Sequence, residues 1–594
     1  MKNSALIRLI NTFLLCMVVM LPANIFADTI ITSHITEDTI WDTSGSPYII
    51  TGDINIYQNV TLTIDGGVAV KFNQDAGLTI GGQLIAQGTT GDPVTFTSNL
   101  STPAQGDWSG ISFVNTAATA TYQSDFEYDY NNHQLLLNYL SGSIIEYCVI
   151  EYADMGVKGS AVYPCVKSNT FRYCKAAAHF GNSQPDSADP TACDEKWLFF
   201  YGNTITQCQT GLEMTTRGND HAVISANTFS ENTRSGILSP GFNIPQAYAW
   251  SSGMLLFNNQ FINNTDINEG EAVILIDRYG TYQSPPFVLL YNNTITNNVK
   301  GFQVLGHLVA LHNYIYNNRM DSYIGLYPDG AGCDLGGPAA YLFNNTIQQN
   351  GVNASGHGDG IFLQTSHPYW EDTLNEFVIN YNNLGNSVWD LFDIYIEPDE
   401  DNCAWSQGLE VDATHNYWQT SDPADTIYDS SDDMCAGVVN YEPKLSSAMI
   451  PSPLQAHPTL ISPANYAEVE QTPPASLEDD LSYTINFSWS PVTGATKYLL
   501  CTYGYEYLDN SANNIVEVTN GTSASITSHI EGTEYDHFVH WFVVAGNDSG
   551  WGLPSALRHV RVIEPSDNGD PDDPPDAGGG GGGGGGCFIA IAAH

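Results

Sequence analysis

Along the middle of the chain one polar string recurs, and each copy brackets a single large apolar residue. The copies read GNTITQC, ANTFSEN, NNQFINN, NNTITNN, HNYIYNN and NNTIQQN. Aligned on the first Asn, they start at Asn169, Asn203, Asn227, Asn259, Asn293, Asn313, Asn345, near Asn382, and Asn416. The third place is large and apolar almost throughout: Phe171, Ile205, Phe229, Phe261, Ile295, Ile315, Ile347 and Trp418. Upstream, apolar residues stand at alternate positions, as in Leu255 and Phe257 or Tyr341 and Phe343. Period two predicts short strands with one buried face. The gaps between starts are 34, 24, 32, 34, 20, 32, 37 and 34 residues. A helical-repeat solenoid holds a steadier period. A minimum near 20 with a variable excess predicts a coil of three short strands with insertions at one or two corners.

Asn suits such a corner because it tolerates the left-handed conformation and bonds its own backbone. Stacked on successive coils, the amides can also bond one another in a ladder. The copy near Asn382, YNNLGNS, is a residue out of step. The sixth place reads Cys174, Cys208, Asn232, Asn264, Asn298, Asn318 and Asn350. Two cysteines thus share one position on consecutive coils, and parallel strands ~4.8 Å apart bring them within the Cα window of a disulfide. A Cys174–Cys208 bond is one reading. Two small buried thiols that merely stack is the other, and the restrictive geometry of a disulfide favours stacking.

The stretch beginning SPYIITGDINIYQNVTLTIDGG, through GDWSGISF, resembles the opening coils of bacterial right-handed parallel β-helix repeat proteins of the pectate-lyase-like superfamily. ATHNYWQTSDPADTIYDSSDDMCAGVVNYEPKL resembles their closing coil. The resemblance spans about Asp28 to Met449, and it implies an all-β solenoid with a long exposed flank. Members of that superfamily include lyases, hydrolases, epimerases and plain adhesins, so fold does not choose the function.

The expected organisation has six parts. Residues 1–27 are a signal peptide, 28–450 the parallel β-helix, and 451–457 a Pro-rich linker. Residues 458–563 form a small antiparallel β-sandwich that resembles a fibronectin type III domain, with Trp489 and Tyr498 at core-like positions. It reads as a spacer rather than a sugar-binding module. Residues 564–586 are an acidic, Pro-rich and poly-Gly linker, expected to be disordered. Residues 587–594, CFIAIAAH, resemble a CFI-box C-terminal motif, in which Cys587 would be processed or anchored. Ile591 and His594 depart from that motif's usual Thr and Tyr, and a bare tail is the alternative.

Charge narrows the partners. Lys plus Arg total 17 against 65 Asp plus Glu, so 17 − 65 gives −48. Such a surface repels phosphate backbones, which argues against nucleic acid, and it attracts cations. At the N-terminus, Lys2 and Arg8 precede the short apolar run LINTFLLCMVVML, and Ala27 offers a cleavage point. The run is short for a membrane span, and no other segment is long enough, so the mature chain is expected without one. Secretion, or display at a bacterial cell surface, follows. Monomeric behaviour is expected.

Chemical motifs are sparse. No two cysteines form C-x-x-C, and G-x-S-x-G, H-E-x-x-H and the P-loop pattern are missing. ASGHGDGIFL offers His357 and Asp359, reminiscent of a hydrolase loop. Without partner carboxylate or Arg-Ile-Lys motifs, a coil turning into its next strand, with Ile361 as the inward knob, explains it better. Arg172, Arg217, Arg234, Arg278 and Arg319 are scattered among the coils. YDSSDD places Asp429, Asp432 and Asp433 between a helical-looking PADTIYD and a strand at GVVNYEP. It is a candidate Ca2+ site, with a solvated turn whose carboxylates cap backbone amides as the competing and favoured reading. The leading expectation is an exported protein that binds a polysaccharide or another cell-surface component without catalysis. A polysaccharide lyase or glycoside hydrolase is the alternative.

Overall fold

The computed structural model describes residues 28–563, except 124–126, 131, 182–195, 216–219, 240–252, 266–273, 277–286, 319–332, 352–358, 365–375, 387–388, 395–409, 433–436, 450–453, 455, 473–480, 505–513 and 531–536. Residues 1–27, expected to be a signal peptide, the acidic and Gly-rich tail and Cys587 fall outside them. The regular elements of the described chain are all strands except one short 3-10 turn at Pro423–Thr426. Among the described residues no helix is long and apolar enough to cross a membrane.

The first large unit is a right-handed parallel β-helix. A first sheet of 14 strands runs from Thr29–Ile31 to Tyr417–Trp418. Its strands are only two to five residues long because each holds one knob: Phe229, Phe261, Ile295, Ile315 and Ile347 lie in one register column. These knobs, and Phe171 and Ile205 before them, are fully buried. Phe229 and Phe261 stack with ring centroids 4.8 Å apart. A second sheet, including Gly253–Phe257 and Phe287–Tyr291, precedes the first in each coil. A third, including Thr210–Thr215 and Ser235–Ser239, follows it. Phe302–Leu311 passes through third and second sheets with only an irregularity between Leu305 and His307, which is why that coil needs just 20 residues. Elsewhere extra residues enter between third and second strands, as from Ser239 to Gly253, or between first and third, as from Tyr316 to Cys333.

The Asn strings form two buried ladders. In the first, Nδ2 of Asn293 donates to Oδ1 of Asn313 at 3.0 Å and to the Leu256 carbonyl at 2.9 Å. The Asn293 backbone N–H donates to the same Oδ1 at 2.9 Å. The pattern repeats without a break from Asn169 through Asn203, Asn227, Asn259, Asn313, Asn345 and Asn382 to Asn416. A second ladder runs from Asn232 through Asn264, Asn298, Asn318 and Asn350 to Asn386. The irregular copy keeps Asn382 and Leu384 in step but makes its second corner one residue shorter, and Asn386 still reaches the ladder. The expected reason for Asn needs one correction. The left-handed residue is the one before the ladder Asn, for example Asn258, Asn292, His312, Asn344 and Tyr381. The ladder Asn bonds chiefly the neighbouring coils; Asn382 and Asn416 also donate to their own local backbone, at the Asn380 and Ala413 carbonyls.

A second correction concerns the strands upstream of the corner. Leu256, Leu290 and Leu342 face the solenoid core, whereas Leu255, Phe257, Tyr341 and Phe343 point outward and are nonetheless buried. Gly253–Phe257 and Phe287–Tyr291 are buried on both faces, and near-continuous apolar runs are the usual mark of that situation.

What covers the outer face is the second unit. Leu460–Ser462, Leu481–Trp489 and Ser523–Ile530 form one sheet of a sandwich. Ala467–Glu470, Arg558–Ile563, His537–Asn547, Lys497–Gly504 and Asn514–Thr519, with Gly550–Pro554 at the side, form the other. Trp489, Tyr498 and Trp541 pack between the sheets. The larger sheet's far side presents Leu499, Cys501, Tyr503, Phe542 and Val544 to the solenoid. Tyr503 stacks on Phe287 at 4.5 Å between ring centroids. A hairpin arm within 121–141 completes the cover, with Tyr128 stacked on Phe257 at 4.7 Å and Tyr130 donating to the Ser555 carbonyl at 3.2 Å. The sandwich is therefore seated against the solenoid instead of spacing it from something else.

The ladder has a measurable worth. Asn293→Ala orphans the Leu256 carbonyl and the Asn259 amides, each buried group costing about 1–3 kcal/mol, so the unfolding free energy should fall by several kcal/mol. Thr294→Ala, one residue on and facing outward, should change it by less than about 0.5 kcal/mol. Urea melts of the two variants compare them directly.

Candidate functional site

With the second sheet covered from Phe199 to Tyr381, the other two outer faces stay open along those coils. On the first sheet, the outward positions from Thr204 to Tyr417 carry no charge. They are Thr204 and Thr206, Thr228 and Ser230, Gln260 and Ile262, Thr294 and Thr296, Tyr314 and Tyr316, Thr346 and Gln348, Asn383 and Gly385, then Tyr417. Strand alternation turns these positions outward, since the central residue of each short strand is the buried knob. Tyr314 and Tyr316, two apart on one strand, lie side by side with ring centroids 5.5 Å apart and planes 9° from parallel. Tyr314 is 42% exposed. The Tyr316 hydroxyl donates to Oε1 of Gln349 at 2.5 Å, which fixes its ring. On the adjoining corner Nδ2 of Asn317 donates to Oδ1 of Asn297 at 2.6 Å. The result is an aryl platform set in hydroxyls and amides.

The third sheet has a different character. Lys158, His179 and Glu213 occupy successive rungs of one outward row. His179 Nδ1 lies 3.4 Å from a Glu213 oxygen. His179 holds the Glu213 carboxyl below its ordinary range against the opposing effect of burial, and the charge of Arg234 adds to it. An imidazole oriented by a carboxylate, one rung from an ammonium, is an arrangement able to take up a proton beside a bound anion. The row escaped the sequence reading because coil length varies. A signal existed: each residue stands ten places after a first-ladder position, Cys148, Asn169 and Asn203. Other charges pair up between the same two coils. Glu146 meets Lys167 at 2.7 Å, Asp154 meets Lys175 at 2.6 Å, and Arg172 Nε donates to Glu151 at 2.6 Å. Arg172 is thus a clip between coils; Arg217, Arg278 and Arg319 lie outside the described residues.

The candidates read from the sequence fare unevenly. Cys174 and Cys208 stand at equivalent places on neighbouring coils, both fully buried and both recorded as free thiols. They occupy the start of the second ladder, as Cys148 does the first, and burial pushes the Cys174 thiol up. The Cys208 N–H donates to Oδ1 of Asn232 at 3.0 Å, so the cysteine takes an Asn place at the end of a row. His357 lies outside the described residues, and of Asp359 only the backbone is described, at the start of Asp359–Gln364 and opposite Trp389. Ile361 is the fully buried knob expected there. Asp433 lies outside as well. Asp429 accepts from Ser431 N–H at 2.8 Å and Val439 N–H at 3.4 Å, while Asp432 accepts from Asp429 N–H at 3.3 Å. The two described carboxylates are engaged with backbone amides, and among the described residues no three His, Cys, Asp or Glu gather as a metal site. The helical-looking PADT is the 3-10 turn, capped by Asp422.

A family model described as a pectate-lyase-like β-helix domain matches residues 33–163, the N-terminal coils. No curated protein and no solved structure matches the chain.

The charge row can be read by titration. The Glu213 carboxyl, followed by carbon NMR, should titrate below its ordinary 4.5. His179→Gln should raise that value, because the largest lowering contribution is gone.

Proposed function

We propose that this chain is an exported protein that binds a glycan through the outer face of its first sheet. The observation that carries the reading is the exposed Tyr314–Tyr316 platform within an uncharged field of Thr, Gln and Asn. A pyranose ring has an apolar CH face and a hydroxyl rim, and an aryl plane beside hydroxyls and amides complements both. The −48 charge favours a neutral polysaccharide over a polyuronate, since like charges repel across the approach. Binding without catalysis suits the stretch of this face from Thr204 to Tyr417, whose strand positions carry no carboxylate, imidazole or ammonium. The leader-like N-terminus supports export, and the CFI-box-like tail supports retention at a bacterial surface. The sandwich, here taken as fibronectin type III-like, braces the solenoid.

A second reading rests on the third-sheet row. There His179, oriented by Glu213, would serve as base and Lys158 would hold an anionic group, giving a polysaccharide lyase or hydrolase. One panel of neutral and uronic glycans separates the two. Binding to neutral glycans that falls tenfold or more in Tyr314→Ala and Tyr316→Ala, about 1.4 kcal/mol, supports the first. Unchanged binding in both variants would sink it. New reducing ends or unsaturated uronates that vanish in His179→Ala would establish the second.

Retention has its own check. Cys587→Ser should shift the protein from the cell fraction to the medium; identical fractionation of both forms argues for a bare tail.

A further inference from the structure

The seam between sandwich and solenoid is unusually rich in histidine. Six of the chain's 15 line it: His133 on the arm, His221 and His312 on the solenoid, His457 before the sandwich, and His540 and His559 within it. His540 and His559 meet Nδ1 to Nδ1 at 2.7 Å, and the His221 ring lies 4.6 Å from that of His540. His221 Nδ1 accepts the Gly253 N–H at 2.9 Å. All three are at most 3% exposed and are packed among Trp197, Tyr503 and Tyr466. Further along, His312 Nε2 meets the Gly552 carbonyl of the sandwich at 3.0 Å.

Two nitrogens 2.7 Å apart can share one proton; two would set like charges in contact. A His221 nitrogen that accepts an N–H likewise has no room for a proton there. We propose that these imidazoles make the seat of the sandwich acid-labile, so that it holds at neutral pH and releases on acidification, uncovering the aromatic outer face of the second sheet.

Burial pushes His540 from its ordinary 6.5 down to about 3, and burial lowers His312 as well. The sign follows from linkage. The undocked form takes up protons below about 6.5 and the docked form does not, so docking is fully supported above that pH and weakens as pH falls towards 3. The loss approaches tenfold per pH unit for each imidazole kept neutral. Other described charged groups around the seam are otherwise engaged. Arg558 donates to the Ile461 and Pro463 carbonyls, and Arg561 pairs with Glu468. Lys497 lies over Tyr381 and Trp551 with Glu517 at 4.0 Å, and Asp412, Asp548 and Glu376 face Tyr381 or Tyr341.

Small-angle scattering and far-UV circular dichroism of the whole chain at pH 7.5, 6.0 and 5.0 test this. The expected result is a radius of gyration that grows below about pH 6.5 while the dichroism stays constant. The His540→Gln, His559→Gln double variant, and independently His312→Gln on the solenoid side, should move the change to lower pH. A radius constant to pH 5.0 would overturn the proposal. So would growth that parallels loss of strand signal, or growth unchanged in both variants.

Discussion

A parallel solenoid must bend the chain at every corner without stranding the buried amides and carbonyls on either side of the bend. Here one side chain meets that demand coil after coil. An asparagine carboxamide accepts the N–H and side-chain amide from the coil before and donates to a carbonyl there, while its own amide passes the pattern on. The left-handed residue ahead of it makes the turn, at about 1–2 kcal/mol where it is not glycine. Two such rows hold the coils in register, and so decide which side chains face inward and which face outward. At the N-terminal ends of the rows the demand is lighter, and thiols fill the place. Cys148 Sγ sits 3.5 Å from the Ala86 carbonyl, and Cys174 Sγ 3.7 Å from that of Ile150.

With register fixed, the three outer faces take separate roles. From Thr204 onward the first stays uncharged at its strand positions and open. The third carries the Lys158–His179–Glu213 row and the Asp154–Lys175 pair, while the matching pairs 21 residues apart sit on the other faces, Glu146–Lys167 on the second and Glu151–Arg172 on the first. The second is apolar on its outer side from Phe199 to Tyr381, and there it is sealed by the arm and the sandwich.

Much of this was legible in the sequence, and the boundary of legibility has a physical origin. Ladder positions and knobs could be read because corner geometry repeats at fixed offsets from one Asn, whatever the insertion between coils. Trp489 and Tyr498 were placed correctly in the sandwich core by alternation alone. Alternation failed at Leu255, Phe257, Tyr341 and Phe343, because an apolar residue under a docked domain looks the same in sequence as one in the core. The charge row was hidden for another reason. Its members are 21 and 34 residues apart, and only the ladder register makes those distances equivalent. The histidine seam joins residues over 300 positions apart, a pairing that periodicity cannot reveal.

The seated sandwich also changes how such a molecule can come apart. In a bare solenoid each coil touches only its neighbours, so stability is a sum of local terms and unfolding can proceed piecemeal from either end. Here Phe199, Val223, Leu255, Phe287, Val309, Tyr341 and Tyr381, one from each of seven successive coils, join a single apolar cluster with the sandwich. Coils that never touch are thereby made to share a fate. The middle of the solenoid becomes one cooperative block, while the opening coils before it, with exposed Ile30 and Ile40, retain the freedom to fray singly.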